Sequence, residues 1–146
     1  MNKLNTDHLL QCIKTLELSL DRLQASKVDS TDYEIFRNAT IKGFELTLET
    51  SGKLLRKVLK AYVANPREVD GLTYKDLFRH AVKHGLVEQD DVVRWYAYRD
   101  NRNDTAHDYG VAFAKSTLLL LPDFLKDAKK LERILKNKLG SGHVGS

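Results

Sequence analysis

Residues 9–23 read LLQCIKTLELSLDRL, a stretch in which apolar residues return in alternating steps of four and three. The positions in register are Leu9, Ile13, Leu16, Leu20 and Leu23. This spacing follows the 3.6-residue period of an α-helix and places all five on one narrow face. The stretch therefore predicts a helix that packs against a second helix, with Thr6 as its N-cap.

The next segment repeats this spacing over a greater length and predicts a second helix from about Asp32 to Ala64. Thr31 as N-cap and Glu34 three residues later form a capping-box pattern, and Asn65-Pro66 ends the helix. Gly43 and Gly52 each cost about 1 kcal/mol relative to Ala, which indicates a close helix approach or a bend. The predicted apolar stripe is Ile41, Phe44, Leu48, Ser51, Leu55, Val58 and Tyr62.

Three further helices follow, and no alternating strand pattern occurs. A short helix spans Thr73 to His84 and stops at Gly85, a fourth opens in EQDD (residues 88–91), and the last covers about Val111 to Leu139. Pro122 is expected to kink this last helix or to start a new segment. The fold class is all-α, an antiparallel up-and-down four-helix bundle with an additional short helix. Residues 1–139 form a single domain and residues 140–146 a flexible tail, whose composition also fits a segment added for expression.

Composition narrows the classes of protein. The chain is 42% hydrophobic and 30% charged, which is typical of a globular domain. It has one cysteine, no apolar run of the ~18–20 residues that span a bilayer, and no signal-peptide pattern, so a cytoplasmic protein without membrane contact is expected. The net charge of +4 comes from residues 111–146, where seven Lys and Arg face three acidic residues, a balance more typical of a solvated helix face than of a nucleic-acid surface.

Metal and cofactor sites find little support. His80 and His84 have the i,i+4 spacing of zinc ligands, but HAVKH lacks the glutamate of HExxH and no third ligand is evident. Cys12 lies beside the first apolar stripe and is predicted to pack rather than react. Because glycine-rich phosphate loops and GxSxG elbows are missing as well, no metal and no cofactor are predicted.

Residues 98–110, YRDNRNDTAHDYG, are the most polar stretch of the chain and lie between two apolar segments. Asn101, Asn103, Asp104 and Thr105 are weak helix formers. Composition alone favours a polar loop in which Asp104 or Thr105 caps the following helix.

Helical geometry separates the reactive side chains of this stretch. On a straight helix Arg102 and His107 point about 140° apart, at ~100° per residue. Asn103 shares a face with His107, whereas Tyr109 shares one with Arg102. The two faces converge if the helix breaks or if a second copy of the chain supplies the other half, and the second option predicts a homodimer through Arg102–Tyr109.

These side chains suit the metal-independent cleavage of RNA. An imidazole such as that of His107 moves protons near neutral pH, and the Arg102 guanidinium binds phosphate and stabilises developing charge. Asn103 orients a hydroxyl or the phosphate. The attacking group would be the 2′-OH of RNA, which DNA lacks.

The segment RNDTAHDY (residues 102–109) resembles the R-x4-H-x-Y motif of HEPN-domain proteins, specifically the HepT-like toxin subunits paired with a minimal nucleotidyltransferase. Proteins of this branch are also known as nucleotidyltransferase substrate-binding proteins. FELTLETSGK (residues 44–53), NPREV and HGLVEQDDVVRWYAYRD extend the similarity to about residues 5–138. The chain departs from the branch at Gly52, where a tryptophan is usual before the lysine that matches Lys53.

The resemblance implies a five-helix fold around a four-helix core that dimerises across the motif. It makes Arg102 and His107 the catalytic pair of an endoribonuclease, with Asn103 as a supporting catalytic residue. Arg99, one turn before Arg102, and Asp104 are predicted to be supporting, phosphate-binding residues. Tyr109 matches the tyrosine to which a separately encoded nucleotidyltransferase transfers AMP, which silences the toxin.

Two functions of different classes stay open at this point. One is an HEPN toxin of a type VII-like toxin–antitoxin pair. The other is a non-catalytic subunit that holds a nucleotide or another substrate for the partner nucleotidyltransferase. A plain helical scaffold ranks last, because it leaves Arg102, His107 and Tyr109 as coincidence.

Overall fold

The computed structural model describes the backbone of residues 4–105 and 111–142 and the side chains of residues 4–102 and 115–140. Every regular element in these ranges is helical. The elements are α1 (Asp7–Ala25), α2 (Thr31–Leu59) with a 3₁₀ turn at Lys60–Tyr62, α3 (Pro66–Asp70), α4 (Tyr74–Lys83), α5 (Gln89–Thr105) and α6 (Val111–Gly142). The prediction of an all-α fold is confirmed.

The long helices α1, α2, α5 and α6 form the antiparallel bundle, and α3 and α4 lie in the connection between α2 and α5. The stripe predicted for α1 is buried at all five positions. On α2, the buried residues are Thr40, Phe44, Thr47, Leu48, Ser51, Leu54, Leu55, Val58 and Leu59. The predicted ends of that stripe, Ile41 and Tyr62, are half-buried.

The helices α1 and α2 approach each other closely at Gly43, as the energetic cost of a glycine within a helix predicts. A Cβ at this position would lie 3.2 Å from Leu16 Cδ1 and 3.5 Å from Leu16 Cα. Leu16 is fully buried on α1. The absence of a side chain at Gly43 therefore lets the backbones of α1 and α2 come together around Leu16.

The predicted N-cap of α2 is wrong, and the predicted N-cap of α1 is correct in position only. Ser30, not Thr31, caps α2, because Asp29 adopts φ +74° and leaves Ser30 as the last extended residue, whose hydroxyl accepts the Tyr33 N–H at 3.0 Å. Thr6 makes no side-chain cap on α1. Its hydroxyl instead donates to Glu132 Oε2 at 2.5 Å, which ties α1 to α6.

The connection between α2 and α5 holds one helix more than the sequence predicts. α2 ends at Leu59, before the predicted Ala64, and the 3₁₀ turn at Lys60–Tyr62 follows it. Asn65-Pro66 instead starts α3: the Asn65 side chain accepts the Arg67 N–H, and Pro66 suits the first helical position. The prediction for α4 is confirmed, with Thr73 accepting the Asp76 N–H and Gly85 at φ +74° closing the C-terminus.

α6 departs from its prediction at two places. It runs through Pro122 without starting a new segment, at the cost of one hydrogen bond, and the alternative of a kink there stays a prediction. The helix also continues to Gly142, three residues into the predicted tail, since the last turn still finds carbonyl acceptors upstream. Residues 143–146 lie outside the described part of the chain.

Candidate functional site

The polar stretch begins as helix rather than as loop. α5 extends to Thr105, so residues 98–105 are helical and neither Asp104 nor Thr105 caps α6, which begins at Val111. The interpretation of this part as an inter-helix loop is wrong. Packing decides the outcome, because Tyr98 and Trp95 are buried one and two turns before Arg102, respectively, and anchor the helix despite the weak propensities of the residues after them.

Arg102 lies half-buried near the C-terminal end of α5, and its charge reaches α2. The pKa of Glu49 is lowered, first by its hydrogen bond and ion pair with Lys53 and further by the positive charges of Arg102 and Lys42. Since Glu49 is on α2, the charge of the predicted catalytic arginine acts on a side chain of that helix.

Arg99, one turn earlier, is engaged by α4. Its guanidinium carbon lies 5.1 Å from the centre of the Tyr74 ring, a cation–π geometry. Burial raises the pKa of Tyr74, and the charge of Arg99 opposes this shift. Arg99 is exposed beyond the ring, so the structure gives it a packing role and leaves its predicted phosphate contact a prediction.

Asn101 joins the two helices that flank the motif, a role that sequence reasoning missed. Its Oδ1 accepts the hydroxyl of buried Thr117 at 3.0 Å, and its Nδ2 donates to Ser116 Oγ at 3.5 Å. Both partners are on α6. The side chain directly before Arg102 thus fixes the separation of α5 and α6 on either side of residues 106–110.

The structure places the remaining predicted site residues only in part. Asn103 and Asp104 belong to the last turn of α5, and their side chains lie outside the described ones. His107 and Tyr109 fall within residues 106–110, outside the described part of the chain. Arg99 and Arg102 are therefore the predicted site residues whose side chains the structure positions.

The comparisons with known proteins place the chain in a family. Residues 5–137 match the model of the family described as "nucleotidyltransferase substrate binding protein like". The chain belongs to this family.

Two matches from Haemophilus influenzae, one to a protein sequence and one to a solved structure, show how far the likeness extends. A protein named "Probable ribonuclease HepT" is 28% identical over 141 residues, which cover 94% of this chain and 95% of the relative. The solved structure of HI0074, described as the fold of a substrate-binding domain of a nucleotidyltransferase, matches with a TM-score of 0.80 and 26% identity. That match covers 90% of this chain and 99% of the other. The predicted HepT-like family is confirmed.

The departure from this family at Gly52 has a local explanation. A Cβ at Gly52 would lie 3.6 Å from Tyr74 Cε2, so the ring of Tyr74 occupies the space into which a larger side chain would extend. The Tyr74 ring continues into the core through Phe78, 4.8 Å away between ring centres. The hydroxyl of Tyr74 is buried and has no hydrogen-bond partner among the described residues. The chain thus fills the position with an aromatic residue from α4.

A charged network holds α5 against α6 below the motif. Buried Asp127 accepts two hydrogen bonds from Arg94, at 2.8 and 2.9 Å, and one from the Tyr98 hydroxyl at 2.5 Å. Arg94 also donates to buried Asp91, which pairs with Lys130 at 2.7 Å. These contacts raise the pKa of Arg94 and of Lys130, each through hydrogen bonds to its acidic partners. In the sequence, only the i,i+3 spacing of Asp91 and Arg94 indicates this network.

Other candidate chemistry finds no support in the described residues. Among them, no three His, Cys, Asp or Glu side chains cluster as metal ligands would. The ring of His84 packs instead against Tyr62, with ring centres 5.7 Å apart. Cys12 is half-buried, with Sγ 3.8 Å from Thr50 Oγ1. Among the helices of the described segments, none carries an apolar stretch long enough to cross a membrane.

Proposed function

We propose that this family member is a metal-independent endoribonuclease, the HEPN toxin of a type VII-like toxin–antitoxin pair. One observation carries the proposal. Arg102 lies on an ordered helix five residues before His107, in a chain similar over nearly its whole length to a probable ribonuclease.

The proposed cleavage uses one side chain to accept a proton and another to stabilise negative charge. His107 accepts the proton of the RNA 2′-OH, whose oxygen bonds to the adjacent phosphorus to give a 2′,3′-cyclic phosphate. The bond from phosphorus to the 5′-oxygen breaks, and the leaving 5′-oxygen takes a proton from water. Arg102 binds the phosphate and stabilises the charge that develops on it. Asn103 orients the attacking hydroxyl or the phosphate, and Arg99 and Asp104 support the site from the same end of α5.

The proposed regulation acts on Tyr109. A separately encoded minimal nucleotidyltransferase transfers AMP to the tyrosine hydroxyl, which displaces pyrophosphate from ATP. Each adduct adds a negative phosphate and a bulky base near Arg102, so that it competes for the cation and fills the space for RNA.

The test is RNA cleavage by the purified protein in the presence of EDTA. We expect cleavage by the wild type and a loss of at least about 100-fold in His107→Ala and Arg102→Ala, the usual contribution of general acid–base catalysis. His84→Ala is the matched histidine control, because His84 packs on Tyr62 far along the chain from the motif. Intact RNA with the wild type, or equal cleavage by His107→Ala, would refute the proposal.

A second candidate is a non-catalytic subunit that binds a nucleotide or another substrate for the partner enzyme. The solved relative described as a substrate-binding domain of a nucleotidyltransferase favours it. The mass of the chain after incubation with the partner and ATP separates the two. Stoichiometric AMP on Tyr109 supports the regulated toxin, whereas reversible nucleotide binding without an adduct supports the binding subunit.

We further propose the assembly that either function requires. Residues 1–139 form one domain, and two copies associate through Arg102–Tyr109 in the cytoplasm. The proposed assembly places Leu119 of α6, whose side chain is 79% exposed, in the surface that the second copy covers.

A further inference from the structure

A groove opens between the first turn of α1 and the middle of α2, apart from the motif residues. Its volume is about 410 Å³, within the range of small-molecule sites. Buried Leu9 and Leu54 form part of an apolar floor, and His8, Thr50 and Lys57 are polar groups along its sides. The groove therefore combines an apolar surface with polar groups at its edge.

Two lysines one helical turn apart give this groove its charge. Lys53 pairs with Glu49 at 3.1 Å, and both side chains are more than half exposed. Lys57 is exposed and makes no hydrogen bond or ion pair with any residue in the described part of the chain. An exposed lysine beside an apolar floor is a favourable contact for a phosphate group.

Glu49 connects the groove electrostatically with Arg102, which does not itself line the groove. Glu49 lines the groove and also senses the charge of Arg102, which helps to lower its pKa. The helical period aligns a row of residues with Glu49 on one face of α2, about 22 Å long at ~1.5 Å per residue. The row consists of Lys42, Leu46, Glu49, Lys53 and Lys57, with Glu45 at its edge.

The side chains of the groove fit a nucleotide better than a bare anion. The floor offers aliphatic surface to the face of a base, and the exposed imidazole of His8 can stack on the base or bond its edge. Lys53 and Lys57 lie on the same face for the phosphate. A base alone would leave the lysines unused, and phosphate alone would leave the floor unused.

We propose that the α1–α2 groove binds a phosphate-bearing nucleotide unit next to the one held at Arg102, with Lys57 as the main phosphate contact. This inference rests on the proposed function, because it takes Arg102 as the position of the reacting phosphate. In the ribonuclease the unit belongs to the RNA strand beyond the cleaved bond. In the binding subunit it is a free nucleotide.

The test measures the binding of labelled single-stranded RNA by fluorescence anisotropy in a His107→Ala background. We expect Lys57→Ala to weaken binding of an octamer about tenfold, as for one charge-assisted contact, and to leave a dinucleotide unaffected. The slope of log K against log salt should fall by about 0.7, the value for one phosphate on a single strand. Lys57→Arg should retain the affinity.

Lys27→Ala is the matched control, since Lys27 is exposed just beyond the opposite end of α1. Equal octamer affinities of the Lys57→Ala and Lys27→Ala variants, or no binding of RNA or ATP by the wild type, would overturn the inference. If ATP and the dinucleotide lose affinity as the octamer does, the groove binds a free nucleotide.

The two proposals fail separately. One outcome is that the Lys57→Ala protein cleaves RNA normally and that Lys57→Ala leaves octamer affinity unchanged in the His107→Ala background. This outcome would refute the groove proposal and leave the ribonuclease proposal intact. RNA that is never cleaved but binds in a Lys57-dependent way overturns the ribonuclease and leaves the groove.

Discussion

At the scale of single residues, Thr6 shows how tertiary contact replaces a local role. The sequence predicts a helix cap, yet the Thr6 hydroxyl donates to Glu132 on α6. Both side chains are almost completely buried. The buried Glu132 carboxylate is stabilised by its hydrogen-bond donors, because a buried polar group without a partner retains the full free-energy cost of its desolvation.

We therefore expect Thr6→Val, which keeps the shape and removes the donor, to lower the free energy of unfolding by about 1.5–3 kcal/mol. Urea denaturation monitored by circular dichroism measures the loss, and Thr6→Ser should recover most of it. Thr15→Val is the control on the exposed side of α1, with an expected change within about 0.5 kcal/mol. A Thr6→Val protein as stable as the Thr15→Val protein would show that the bond to Glu132 adds nothing.

At the scale of elements, hydrophobic periodicity predicts the long helices well and their ends less well. The α1 stripe is correct at every position because its five apolar residues repeat at the helical period and lie on one buried face. The cap of α2 is displaced by one residue because the backbone of Asp29, not the capping-box pattern, sets where extended structure ends. α3 is missed because five residues are too short to show a helical period.

The attachment of α5 to α6 gives a prediction of pH dependence. Burial and the hydrogen bond to Asp127 raise the pKa of Tyr98 above its usual value of about 10. Below pH ~10 tyrosine is neutral in both folded and unfolded chains, so the stabilisation is fully present. As the pH rises further, the unfolded chain loses this proton first, and stability falls by up to about 1.4 kcal/mol per pH unit.

Tyr98→Phe should accordingly lower stability at neutral pH, by loss of the bond to Asp127, and flatten the decline above pH ~10. Urea denaturation between pH 8 and 11 measures both effects. Tyr33→Phe near the start of α2 is the matched control. The contributions of Tyr74 and Lys130, whose pKa values are also raised, cancel between the wild type and Tyr98→Phe. An unchanged slope in Tyr98→Phe would contradict the assignment.

At the scale of the whole molecule, the candidate site is predictable as a set of residue types but not as an arrangement. Spacing predicts that Arg102 and His107 diverge on a straight helix; α5 is helical as far as Thr105, and His107 lies outside the described residues, so the divergence stays a prediction. The contacts that position this helix, Asn101 to Thr117 and Tyr98 to Asp127, cross between elements more than fifteen residues apart in sequence. The hydrophobic period of one helix does not predict such pairs, because the two partners belong to different helices.

The last prediction concerns the proposed pairing of two chains around one site. If each site takes Arg102 from one subunit and His107 from the other, a mixed dimer of Arg102→Ala and His107→Ala chains has one site without either group and one intact site. Random mixing of the two inactive proteins in equal amounts makes half of the dimers mixed. The mixture should therefore regain about a quarter of wild-type activity, as non-additive catalytic units allow.

Activity is measured as RNA cleavage in EDTA after subunit exchange. The control is a mixture of the Arg102→Ala chain with the Arg102→Ala/His107→Ala chain. It stays inactive, because neither chain carries Arg102. If the complementary mixture stays inactive as well while subunit exchange is complete, Arg102 and His107 act within one chain, and residues 106–110 must turn His107 back towards Arg102.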